Sequence, residues 1–192
     1  MNSAELRSKL VRQRRALPPQ LAHQAGYAAS VHAWQLPVMQ RARRIAAYLA
    51  VNSEIDCGAL IETAWSRGRE VYLPVLQGQG LFFRRYRPKS LLTPNRFAIP
   101  EPSEEPLLRA TALDVVIAPL VAFDRVGNRL GMGGGYYDRT FSFLRYRKSW
   151  RHPRLLGFAY DMQAVNSLPA QSWDVPLDAV VTETSKYEFL RK

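Results

Sequence analysis

Five of the chain's eleven glycines fall within nine residues, Gly127-Asn-Arg-Leu-Gly-Met-Gly-Gly-Gly135, and Tyr136-Tyr137-Asp138-Arg139 follow at once. Glycine loses more backbone freedom on folding than any other residue. Such a cluster therefore points to unusual φ/ψ angles or a close backbone approach to a ligand. The apolar run Val115-Val116-Ile117-Ala118 precedes the block and reads as a buried strand. After the block, Tyr137, Phe141 and Leu144 recur at helical spacing, with Asp138, Ser142 and Arg145 on the other face. Strand, glycine loop and helix start together aim free backbone N–H groups and a positive helix end at a phosphate. The chemistry expected here is the holding of a phosphorylated ligand. A flexible surface turn is the alternative, and Arg129 and Arg139, which bracket the loop, weigh against it.

Two familiar phosphate devices do not fit. A P-loop ends in Gly-Lys-Ser/Thr, whereas Gly-Gly-Tyr-Tyr stands here. The dinucleotide fingerprint would take Gly131 and Gly133 as its first two glycines, but Tyr136 occupies the third place. Other catalytic groupings are absent from the sequence: His23, His32 and His152 lie far apart, and the lone Cys57 forms no zinc or redox spacing.

The elements that must position this loop follow from periodicity. Ser3 to Ala16 reads as a helix, with Leu6, Leu10 and Leu17 on one side and Arg7 and Arg14 on another. Pro18-Pro19 ends it, and a second helix is expected from Gln20 to about Trp34. Strands are expected at Ile45 to Val51, Val71 to Leu76, Leu81 to Tyr86, Asp114 to Leu120, Leu155 to Tyr160 and Ala179 to Thr182. A helix capped by Asp56 and ending near Gly68 follows the loop Asn52-Ser53-Glu54-Ile55-Asp56. Pro88 to Pro106 holds five prolines and reads as an irregular crossover, while Ser185 to Lys192 reads as a partly disordered tail. Apolar strands alternating with helices predict an α/β fold: a mostly parallel open sheet with helices on both faces, a Rossmann-like three-layer arrangement. The 192 residues suit a single domain, with N-terminal helices over 3–34 and sheet and site over 43–182. Loops after parallel strands gather at the sheet's carboxyl edge, which places Asn52–Asp56 beside Gly127–Gly135.

Composition narrows the setting. The formal net charge is +11 and the pI about 10.2, which favours anionic partners. The basic residues are scattered, with no zinc-finger spacing or RNP-type aromatic motif, so no specific nucleic acid is expected. No apolar stretch approaches the roughly 18 residues of a membrane span. A cytoplasmic monomer acting on small molecules is the expectation, with most arginines on solvated faces.

The glycine block together with Asp138-Arg139 resembles the signature of 5-formyltetrahydrofolate cyclo-ligases, also called methenyltetrahydrofolate synthetases. Leu6-Arg7, Tyr48-Leu49, Glu54-Ile55-Asp56, Val71-Tyr72-Leu73-Pro74 and Pro119-Leu120-Val121-Ala122-Phe123-Asp124 match in the family's order, as does the ending Trp173 to Thr182. The resemblance spans about Glu5 to Thr182. It implies an ATP- and Mg²⁺-dependent conversion of 5-formyltetrahydrofolate to 5,10-methenyltetrahydrofolate, releasing ADP and phosphate. Competing readings are a basic nucleic-acid-binding module and a folate- or nucleotide-binding relative without turnover.

The resemblance also assigns roles. ATP would meet Arg7, Arg129, Leu130, Gly131, Met132, Gly133, Gly134, Gly135, Tyr136 and Tyr137. The folate would meet Leu49, Glu54, Met132, Gly133, Gly134, Gly135 and Tyr136, with Glu54 on the pterin. Arg129, Tyr137 and Asp138 would carry catalysis, and Asp138 and Asp178 would ligate Mg²⁺. Each residue also has a plainer reading. Asp138 suits a helix's first turn, Asp178 a turn after Pro176, and Glu54 an exposed loop. Leu49 suits a core and Arg7 a solvated helix face. Two departures stand out: Ser3 and Ala4 occupy places where members often carry a lysine, and Met132 replaces an aromatic or basic residue.

Overall fold

The structure is a computed structural model and describes residues 2–147 and 152–189. In chain order it contains α1 (Ser3–Arg15), α2 (Pro19–Gln35), α3 (Pro37–Arg41), β1 (Arg44–Ala46), α4 (Gly58–Ser66), β2 (Glu70–Gln77) and β3 (Gly80–Tyr86). There follow β4 (Leu92–Pro94), β5 (Pro100–Pro102), β6 (Val115–Ala118), β7 (Ala122–Phe123), β8 (Arg129–Leu130), α5 (Tyr136–Phe141), β9 (Arg154–Phe158), β10 (Ala179–Val181) and β11 (Lys186–Glu188).

Seven strands form one sheet in the order β11-β10-β9-β6-β1-β2-β3. The five inner strands run parallel, and the two edge strands, β3 and β11, run antiparallel to their neighbours. The inner strands are buried on both faces and so read as continuous apolar runs. Side chains nevertheless alternate between two cores. Ile45, Val115, Ile117 and Val181 join Ala29, Ala33, Leu60 and Ile61 from α2 and α4 on one face. Ala46, Val116, Ala118 and Val180 join Phe83, Phe141 and Leu144 on the other. The α/β sheet with helices on both faces is thus as expected.

The direction of chain progression reverses in the middle of the sheet. From β1 the chain passes through α4 to β2 on one side, whereas β6 leads to β9 and β10 on the other. The carboxyl ends of β1 and β6 therefore flank a topological switch point, where doubly wound folds open a crevice.

Local chemistry explains the helix starts. Asn2 accepts from the N–H groups of Ala4 (3.0 Å) and Glu5 (2.9 Å), and Glu5 accepts from Asn2 N–H (3.0 Å), a capping box. Pro19 begins α2 at the position where its missing N–H costs nothing. On α2, Gly26 lets the backbone approach closely: a Cβ there would sit 2.9 Å from the Asp56 carbonyl.

Several expectations change. The strand expected over 45–51 ends at Ala46. The chain then leaves the sheet, held by Tyr48 Oη donating to the Ile55 carbonyl (2.8 Å), with Asn52 and Ser53 in left-handed conformations. The proline-rich crossover contains a small antiparallel ribbon, β4–β5. The helix after the glycine block is only six residues long and passes into a 3₁₀ turn at Ser142–Arg145, though Phe141 and Leu144 are buried as the spacing predicts. Part of the expected tail is ordered: β11 pairs with β10, closing the sheet's edge, while residues 190–192 lie outside the described residues. Residues 148–151 likewise lie outside them. Among the described residues, no helix is long and apolar enough to cross a membrane.

Candidate functional site

A cavity of about 1170 Å³ opens at the carboxyl edge, over β6, β1 and β2. One wall is the loop after β1, with Tyr48, Leu49, Val51, Asn52 and Glu54. The opposite wall is the glycine loop from Arg129 to Gly135, continuing into Tyr136, Tyr137, Asp138 and Arg139. Ser3 and Arg7 of α1, the ribbon tip at Asn95, Phe97 and Ile99, and the segment Gln171 to Asp174 complete the rim.

Three of the five clustered glycines have positive φ, and they do two jobs. Gly127 has φ +88°, and a Cβ there would stand 2.9 Å from the Leu177 carbonyl, so this glycine permits a packed turn away from the cavity. Gly133 has φ +99° and Gly135 φ +65°, and both face the cavity. Gly135 is the left-handed N-cap of α5. With six residues, α5 offers little helix dipole at this wall, which is made of the loop's backbone and the arginines around it.

Those arginines hold the loop. From α1, Arg7 Nε donates to the Gly131 carbonyl at 2.7 Å. Arg139 donates to the carbonyls of Gln79 and Gly134, both at 2.6 Å, fastening the loop to the β2–β3 hairpin. Arg129 behaves otherwise. Its side chain is only 6% exposed; Nη2 pairs with Asp138 Oδ1 at 2.6 Å and Nη1 donates to the Val175 carbonyl. The Val175 N–H also donates to Asp138 Oδ1, at 3.1 Å. The pair thus cancels one charge of each sign at the cavity wall.

At the ribbon tip, Asn95 Oδ1 accepts from the N–H groups of Phe97 (2.8 Å) and Ile99 (3.2 Å), forming a tight turn. Arg96 donates to Tyr136 Oη, and Phe97 meets the Tyr136 ring edge-on at 6.2 Å. The tip therefore docks on the glycine loop.

Glu54 is half-buried on the opposite wall, where Oε2 accepts from the Val51 N–H at 3.1 Å. Burial raises its pKa above the ordinary carboxylate value, and the Val51 N–H and the Arg14 charge oppose that rise. Burial also pushes the Tyr137 hydroxyl up, reinforced by Glu54, so Tyr137 is a neutral O–H donor at physiological pH. Tyr48 is pushed up in the same way.

The structure brings together nearly all the residues singled out from the sequence. Arg7, Leu49, Glu54, Arg129, Leu130, Gly131, Met132, Gly133, Gly134, Gly135, Tyr136, Tyr137 and Asp138 all line the one cavity. Asp178 is not brought there. It precedes β10 at the opposite edge of the sheet, where it accepts from the Leu155 N–H (2.8 Å) and Arg154 (3.0 Å). Arg139, Tyr48 and the Asn95–Ile99 turn were not among the expected site residues. Arg139 lay within the glycine motif, but the turn carried only the dipeptide Pro94-Asn95 as its signal.

The arrangement is a doubly wound α/β protein in which a glycine loop suited to phosphate faces an acid-bearing, partly apolar loop across the switch point. The chain belongs to the 5-formyltetrahydrofolate cyclo-ligase family, which it matches over residues 1–183, and so to the ligases of folate one-carbon chemistry. It is 42% identical over 188 residues to the 5-formyltetrahydrofolate cyclo-ligase of Escherichia coli K12, covering 94% of this chain and 100% of that protein. Against the Haemophilus influenzae enzyme of the same name the identity is 39%, covering 90% and 93%. The solution structure of Aquifex aeolicus 5,10-methenyltetrahydrofolate synthetase superposes with a TM-score of 0.84 at 29% identity, covering 100% of this chain and 95% of that one.

Proposed function

We propose that the protein converts 5-formyltetrahydrofolate to 5,10-methenyltetrahydrofolate, turning ATP into ADP and phosphate. One observation carries the reading: the glycine loop and the Glu54 loop face each other across a single cavity of about 1170 Å³. That exceeds the roughly 300–1,000 Å³ of a one-ligand pocket, as two substrates side by side require. The proposed form is a monomer acting on small molecules. The proposed setting is cytoplasmic, with no nucleic-acid or membrane partner.

The reaction has two steps. The formyl oxygen attacks the γ-phosphorus and ADP leaves, which converts a poor leaving oxygen into phosphate. N10 then attacks the same carbon, gives up its proton to solvent, and phosphate departs. The protein's part is positioning and charge stabilisation. The N–H groups of Gly133 to Gly135 and the Arg7 guanidinium would cradle the phosphates. Glu54 would accept paired hydrogen bonds from the amino-pyrimidine edge of the pterin. Leu49 and Met132 would supply apolar contact, and Tyr137 a neutral O–H at the reacting oxygens. Arg129 would act through Asp138, whose carboxylate it orients.

Mg²⁺ fits the residues present. Among the described residues no group of three or more His, Cys, Asp or Glu could hold a metal by itself. Among the described residues, the Asp138 carboxylate takes both of its hydrogen bonds on Oδ1. A single carboxylate with one such oxygen suits an ion that arrives on substrate phosphates. When bound, Mg²⁺ supplies neutralisation of the phosphate charge. Asp178, at the far edge, is left out of the proposed ligand set.

The test is direct: purified protein is mixed with 5-formyltetrahydrofolate and MgATP while the near-ultraviolet absorbance of the methenyl product is followed. ATP-dependent growth of that band, lost with EDTA, is the expected result. A flat trace from folded protein that binds ATP would overturn it in favour of a relative without turnover.

Glu54 sets an acid limit on the same assay. Its ionised form accepts the pterin's hydrogen bonds, so folate affinity is full at high pH and falls as the pH drops through its raised pKa. The KM for 5-formyltetrahydrofolate should rise over that range, with kcat changing less. Glu54→Gln should raise KM at neutral pH and flatten the limb; an unaltered limb would remove Glu54 from the pterin site. Stability of the unliganded protein runs the opposite way. The pocket favours the neutral acid, so that contribution is full at acid pH and is lost as the pH rises through the raised value.

A further inference from the structure

Helix α1 sends one charged side chain into the protein rather than along its surface. Arg14 is 2% exposed, against the expectation of a solvated helix face. Its Nη1 donates to the Leu120 carbonyl at 3.2 Å and its Nη2 to the Asn52 carbonyl at 3.1 Å. Leu120 lies just beyond β6, on the chain that leads into the glycine loop. Asn52 belongs to the loop that carries Glu54. One guanidinium therefore spans both sides of the switch-point crevice. Its Nε is buried with no hydrogen-bond partner among the described residues. A buried cation with an unmet donor is unfavourable compared with an unbranched apolar side chain of similar volume, so packing gives no reason for it.

We propose that Arg14 is a positioning residue of the reaction, a buried clamp that fixes the glycine loop at a set distance from the Glu54 loop. The proposal rests on the reading in which ATP lies along the first loop and the folate along the second. Arginine suits the task because its planar fork aims several donors in fixed directions, where a lysine ammonium would reach one side only. Misplacing two reactants by about 1 Å can cost roughly a hundredfold in rate, so the clamp's effect belongs in kcat. The charge has a second consequence. Around Glu54 stand Arg14 from α1, Tyr48 and Cys57 from its own loop, and Tyr137 from α5. Arg14 is the cation among them, and its charge counters the rise that burial imposes on Glu54.

Arg14→Met and Arg14→Lys, assayed beside the wild-type protein, test this. Arg14→Met should fold, lose about a hundredfold in kcat with little change in either KM on the high-pH plateau, and move the acid limb of kcat/KM for 5-formyltetrahydrofolate to higher pH. Arg14→Lys keeps the charge but not the fork, so it should return the limb to its wild-type position and recover only part of kcat. A merely structural arginine would lower the unfolding temperature while leaving kcat per folded molecule and the acid limb in place, and that result overturns the proposal. Failure of both variants to fold also overturns it, since Arg14 would then serve folding. An inactive wild-type protein marks instead the failure of the functional reading, on which the proposal depends.

Discussion

Asp138→Asn should lower kcat by at least about a thousandfold while leaving the circular dichroism spectrum intact. Charge stabilisation by a bound ion supplies several kcal/mol, and about 1.4 kcal/mol corresponds to a factor of ten. The variant separates charge from structure. Asparagine keeps an oxygen at the place of Oδ1, which accepts from Arg129 at 2.6 Å and from the Val175 N–H at 3.1 Å. The second oxygen becomes an amide nitrogen, a donor that repels a cation. Asp138→Ala would be a poorer test, since the Arg129 side chain is only 6% exposed and would be left buried without its anion. Removing one partner of such a pair costs about 3–5 kcal/mol. For the asparagine variant the measurement is kcat at saturating MgATP, with thermal unfolding as the control. Near-normal turnover would remove Asp138 from the proposed magnesium site and leave it as the partner that orients Arg129.

Gly133→Val should be nearly as damaging, for a backbone reason. At φ +99° Gly133 occupies a region that residues with a Cβ rarely enter, and valine's branched side chain makes it harder still. The Cβ itself has room: its nearest neighbour would be Arg7 Nη2, at 4.0 Å. Strain of about 1–3 kcal/mol must instead be relieved by re-forming the loop, which redirects the N–H groups of the neighbouring glycines. The expected outcome is a fall of about a hundredfold or more in kcat/KM for ATP, as when oriented donors are lost from a charged transition state. Thermal unfolding should shift by only a few degrees, because the loop lies outside both cores. An ATP dependence close to wild type would show that the loop does not seat the phosphates.

What could be read from the chain alone was what neighbouring residues decide among themselves. The glycine block announced left-handed backbone. The apolar runs at Val115–Ala118 and Val71–Leu76 announced strands buried on both faces. Because loops after parallel strands share an edge, Glu54 could be set beside Gly133 without any knowledge of contacts. The resemblance, rather than periodicity, named Arg7, Leu49, Glu54 and the glycine-loop residues together, and the fold gathers them round one cavity because they lie in two short loops and one turn of α1.

Partnerships between charged groups were decided only in three dimensions. Arg129 and Asp138 both belong to the glycine motif, yet the tertiary fold turns them toward each other and toward Val175, which lies 37 residues beyond Asp138. Asp178 sits in a matching stretch, but it opens β10 and so falls at the amino edge, across the sheet from the cavity. The tip at Arg96 and Phe97 reaches Tyr136 from 40 residues away. Arg14 looked like one more solvated arginine, because a helical pattern records which residues share a face and not what that face will meet. Hydrophobic periodicity and backbone preference act over a few residues and are written locally. The burial and pairing of a charge depend on what distant segments bring to it, and that is settled only when the sheet closes and α1 lies across its carboxyl edge.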